Sequence, residues 1–133
     1  MLLNKKLKKI LILSFLGIGL IISAFIFSVY LILYIEVSKN CNKAISEYKT
    51  SCRKSLISTF NSKDKSIKEK NDAVWTLGQL ADKNSLPFLK SIYNDKIPNR
   101  EPLDKVISQY EIRKAIRWSE KGNWTSWMYF KYK

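Results

Sequence analysis

The chain has 133 residues, no histidine, two cysteines, and 24 basic against 11 acidic side chains. That length fits one domain at most. So few cysteines exclude a disulfide-dense scaffold, and the lack of His removes the usual general base and the commonest metal ligand. Lys5, Lys6, Lys8 and Lys9 stand apart at the N-terminus, and beyond Ile35 lie 20 basic residues and all 11 acids, an excess of nine. Such an excess suits an anionic membrane surface or an acidic partner, while charge alone gives nucleic acid little support. A lysine-rich solvated surface explains it equally well.

After the basic segment 1–9 comes ILILSFLGIGLIISAFIFSVYLILYI, residues 10–35, with no charge before Glu36. As a helix these residues would reach ~39 Å, enough to cross a ~30 Å hydrocarbon core with some tilt. Tyr30 and Tyr34 stand toward one end, where aromatic rings suit the interface. The run is longer than the ~7–15 apolar residues of a signal peptide and lacks a clear A-x-A site. An uncleaved, single-pass anchor in the plasma (inner) membrane is therefore expected. The four lysines ahead of the span place the N-terminus in the cytoplasm. Lys39 and Lys43 are the nearest cations after it, so the remaining domain is expected outside.

From residue 43 to 60, Ile45, Tyr48, Cys52, Leu56 and Phe60 recur at spacings of 3 and 4, which predicts one helix with an apolar stripe. In a single helix Cys41 and Cys52 would lie ~16 Å apart, well beyond the ~7 Å Cα separation that a bridge tolerates. The geometry thus argues against an intrachain disulfide and for buried thiols, unless the chain folds back between them.

A second helix is expected over 66–81, with Ile67, Val74, Leu77 and Leu80 on one face and Glu69 and Asp72 in its first half. The polar ADKNS segment ends it. Ser85 is then a candidate N-cap for a third helix that carries Pro87 in its first turn and Leu86, Leu89, Ile92 and Tyr93 on its apolar face. Pro98 and Pro102 bound a loop, and a short turn is expected at 103–107. Ser108-x-x-Glu111 matches the capping box. It opens a last helix over 109–121 with Ile112, Ala115 and Ile116 inside and Gly122 at its end; one continuous helix from Pro102 is the alternative.

Arg113, Arg117 and Lys121 step by four along that helix, with Lys114 beside them. They form either a contact stripe for an acidic partner or lipid headgroups, or a solvated face paired with Glu111 and Glu120; the second reading is the more common. The tail, residues 123–133, holds Trp124, Trp127, Tyr129, Phe130 and Tyr132. It could cap the helices, rest at a membrane interface with Lys131 and Lys133 meeting headgroups, or present a binding patch. Capping is the plainest of the three. Neither a phosphate loop nor a G-x-S-x-G elbow is present, and no catalytic, cofactor or metal site is expected.

Leu56-x3-Phe60-Asn61 recurs as Leu89-x3-Tyr93-Asn94, a faint repeat of paired helices. In AVWTLGQLADKNSLPFLKSIY, Ala73, Trp75, Leu77, Gly78, Leu80, Asp82, Pro87 and Leu89 set out an Ala/Leu-faced helix, a Leu-Gly and Asp turn, and a second helix opening near proline. This pattern resembles the short bacterial HEAT repeat. Gly78, which costs ~1 kcal/mol in a helix relative to Ala, would mark a close helix–helix approach. The resemblance implies an all-α domain over 36–122, a short stack of helical hairpins after a single transmembrane helix. It also implies a module that binds a membrane or envelope protein as adapter or accessory subunit rather than an enzyme. Two alternatives remain: a basic domain that binds anionic lipid or an envelope polymer, and a lyase-like or toxin-like activity without visible motifs. Bilin lyases also carry HEAT-like repeats, but no residues here specify a bilin site.

Overall fold

The structure, a computed structural model, describes residues 4–133; the first three residues of the basic segment 1–9 lie outside that range. The described residues are helical, without a strand. The chain divides into two compact units, Met1–Leu33 and Tyr34–Lys133.

The first unit is the N-terminal part of one long helix, α1, Lys5–Tyr48. Asn4 caps it, its side-chain oxygen accepting from the Lys6 N–H at 3.2 Å. This helix is long and apolar enough to cross a bilayer, and its apolar window is unburied by protein. Two hydroxyls within its apolar run find partners on their own helix. Ser23 Oγ donates to the Leu20 carbonyl at 3.0 Å and Ser28 Oγ to that of Ala24 at 2.9 Å, which removes the cost of carrying an unsatisfied hydroxyl into hydrocarbon.

The second unit holds the rest of α1 and four further helices: α2, Cys52–Asn61; α3, Ile67–Leu80; α4, Leu86–Ser91; and α5, Gln109–Lys121. After them, Ser126–Tyr132 forms 3-10 turns with a kink at Tyr129. The core gathers Val37 and Cys41 of α1, Leu56 of α2, Leu77 and Leu80 of α3, Leu89 of α4 and Ile112 of α5. Central α3 packs chiefly against α2 and α5, and α4 chiefly against α5. With only six residues, α4 is too short to form a full hairpin face against α3.

The single helix expected over 43–60 is two. α1 stops at Tyr48, Lys49 takes a left-handed conformation (φ 54°) and α2 starts at Cys52. Thr50 and Ser51 fill the break, both weak helix formers. The chain therefore folds back, and Cys41 and Cys52 are joined as a disulfide with their Cα atoms 5.0 Å apart. This corrects the expectation of buried free thiols. A 3/4 spacing that runs across a three-residue break reads the same as one unbroken helix.

The helices over 66–81 and 109–121 stand where expected. α3 opens with a reciprocal capping box. Ser66 Oγ accepts from the Glu69 N–H at 3.2 Å, and the Glu69 carboxylate accepts from the Ser66 N–H at 3.0 Å. Ser85 does not cap α4 through its side chain, which is buried without a partner. Asp82 instead accepts from the Asn84 N–H at 2.9 Å and so shapes the turn.

Candidate interaction surface

The repeat-motif residues build the frame under the surface. Ala73, Leu77, Leu80 and Leu89 are buried, Trp75 is half-buried, and Pro87 stands in the first turn of α4. Leu86 is only half-buried, and Phe88 packs edge-on against Phe60, centroids 5.4 Å apart. Gly78 faces α5 so closely that a Cβ there would lie 3.0 Å from both Cα and Cβ of Ala115. Beyond its turn bond, Asp82 holds the Arg53 guanidinium at 2.8 Å, tying α2 to the end of α3.

Two polar clamps were missed in the sequence. Asn71, buried on α3, donates to the Leu103 and Val106 carbonyls, both at 2.8 Å, and accepts from the Ser108 N–H at 2.9 Å. Glu101 caps α5 from the loop, its carboxylate accepting from the N–H groups of Gln109 (2.8 Å) and Tyr110 (3.1 Å) and from Ser108 Oγ (2.6 Å). The capping box expected at Ser108 is thus half formed. Ser108 Oγ accepts from the Glu111 N–H at 3.0 Å, but Glu111 turns to Lys114 at 2.7 Å.

With that frame set, the cations of α5 can be sorted. Lys114 is engaged, bonded to Glu111 and lying 5.1 Å from the Trp118 ring centroid. Glu120 pairs with Lys90 of α4 at 2.7 Å, not with the stripe. Arg113, Arg117 and Lys121 are exposed, and among the described residues none of the three has a carboxylate partner. Arg113 rests 5.8 Å from the ring centroid of Tyr110. Tyr110, Arg113, Lys114 and Arg117 line a shallow depression of about 160 Å³. Free guanidinium groups flanked by an exposed phenol ring suit a planar anionic group, which Arg can grip with two parallel bonds.

The tail belongs to the second unit and divides by face. Tyr129 and Tyr132 are buried, whereas Trp124, Trp127 and Phe130 are 88%, 71% and 79% exposed. Gln79 of α3 latches it, its side-chain oxygen accepting from Asn123 Nδ2 (3.1 Å) and Thr125 Oγ1 (3.0 Å). Burial pushes the Tyr129 phenol above its ordinary range. Elsewhere, Glu69 is held down to about 2, first by the Lys43 ammonium and then by the Ser66 backbone and hydroxyl.

No protein-family model, curated protein or solved structure matches this chain. The fold defines an α-helical protein with one candidate membrane-spanning helix.

Proposed function

We propose that the chain is a single-pass membrane protein whose HEAT-like helical domain stands outside the cytoplasm. There it binds an acidic partner protein, as an adapter or accessory subunit and without catalysis. The observation that carries this reading is the stripe of Arg113, Arg117 and Lys121, without a carboxylate partner among the described residues although Glu111 and Glu120 stand on the same helix. Arginines without a carboxylate partner beside an exposed tyrosine are residue types enriched where binding energy concentrates. The Cys41–Cys52 bridge supports the placement, because such bonds persist in oxidising compartments. The close α3–α5 approach at Gly78 and the Asp82 turn support the HEAT-like build.

The test is a photo-crosslinking residue at position 121 of the full-length protein in its native membrane. A discrete protein adduct should form, and the Arg113→Glu/Arg117→Glu variant should lose it. An adduct pattern unchanged by charge reversal would refute the acidic-partner reading.

A further inference from the structure

The exposed aromatic edge of the tail has no role in the stripe on α5. Trp124, Trp127 and Phe130 recur every third residue and are exposed, while Tyr129 and Tyr132 turn inward. Trp127 and Phe130 lie in 3-10 turns that meet at a kink at Tyr129, and Trp124 stands just ahead of them, so what the three rings share is exposure at a regular interval of three. Three such rings at this exposure would be costly in water and call for a cover.

What covers them can be argued from where the tail is held. The Tyr129 ring stacks on that of Tyr34, with centroids 6.3 Å apart and planes 7° from parallel. Tyr34 is also the penultimate residue of the uncharged run 10–35. Lys131 lies over the same Tyr34 ring at 5.7 Å and over Tyr132 at 4.6 Å. Tyr132 in turn donates to Asn42 of α1 at 3.2 Å. The tail is thus fastened to α1 at the point in the chain where the apolar run gives way to charge. Trp, with an apolar body and one polar N–H, is favoured at the headgroup level, and Lys reaches phosphates from there.

We infer that Trp124, Trp127 and Phe130 form a second membrane contact, seated in the headgroup region of the bilayer that α1 enters, with Lys131 and Lys133 beside lipid phosphates. This contact is independent of the partner proposed for α5. The tail then has two faces with two tasks. Tyr129 and Tyr132 close the core, and the outer rings hold the domain down on the lipid surface.

The full-length protein in vesicles of phosphatidylcholine and phosphatidylglycerol tests this. Lipids brominated near the carbonyl end of their chains should quench tryptophan emission more than lipids brominated deep in the chain. Because interfacial Trp sits at the headgroup level, that shallow quenching should fall about twofold or more in Trp124→Phe/Trp127→Phe. The variant should keep its disulfide, read as resistance to alkylation. Emission from these two residues that stays open to aqueous acrylamide and deaf to brominated lipid would overturn the inference. So would emission shielded from acrylamide yet unquenched by either lipid, which would mean that protein, a second copy or another chain, covers the edge. Neither result would touch the crosslinking test at position 121.

Discussion

Gly78 of α3 meets Ala115 of α5 with no room for a methyl group: a Cβ at position 78 would fall 3.0 Å from the Ala115 Cα and 3.3 Å from the Trp118 ring. The obstacle is backbone, which cannot swing away. Gly78→Ala gains ~1 kcal/mol of helix propensity but forces the two helices apart, an overpacking cost of roughly 1–3 kcal/mol. The variant is expected to be less stable by ~1 kcal/mol, read as a lowered denaturation midpoint with unchanged helix content. A raised midpoint would show that α5 is free to shift.

Asn71 uses all but one of its bonding positions to hold the 103–108 loop. Asn71→Ala leaves two carbonyls and one N–H without their partner. A loss of ~3 kcal/mol is expected, because each orphaned buried group costs about 1–3 kcal/mol and some regain water. Hydrogen exchange should quicken first at Ser108, ahead of the amides in the middle of α3. Uniform acceleration across the domain would instead mark Asn71 as part of the global core.

Glu69 gives the domain an acid-sensitive contact. Its pKa falls from 4.5 to about 2 because the Lys43 ammonium and the Ser66 donors favour the carboxylate. The folded value lies below the unfolded one, so the contribution is complete above about pH 4.5 and is lost as pH falls toward 2. The side chain is 31% exposed, and solvent screening holds the effect to ~1 kcal/mol. Melting temperature in wild type should drop between pH 4.5 and 2 by more than in Glu69→Gln. Parallel curves for the two proteins would remove this contact from the account.

Local patterns carried much of the fold. α3 and α5 were readable from apolar spacing, and Gly122 ends α5 as expected, with φ 89°. Gly78 was readable as a close approach because a glycine inside a strong helix pattern asks for a steric reason. What escaped notice depends on distant pairings. Ser66-x-x-Glu69 and Ser108-x-x-Glu111 are the same pattern, yet only the first closes reciprocally, since Glu101 and Asn71 supply the partners of Ser108. The break at Lys49 was hidden by apolar residues that keep helical spacing on both sides of it, and the disulfide was hidden with it. For the tail as a whole, capping, a membrane interface and a binding patch were readable only as alternatives. The structure supplies the division, because Tyr129 and Tyr132 are inside while Trp124 and Trp127 are not.

The proposed placement outside the cytoplasm rests on the closed Cys41–Cys52 bridge. Closing a loop of this length stabilises the fold by ~3 kcal/mol through the unfolded chain, so reduction should lower the melting temperature. The direct measurement is maleimide–polyethylene glycol labelling of the full-length protein in freshly isolated, detergent-denatured membranes, with thiol–disulfide exchange stopped by acid at harvest. No mass shift is expected before reduction and two adducts after it. Two adducts without reduction would show free thiols in the cell and contradict both the bridge and the placement it supports.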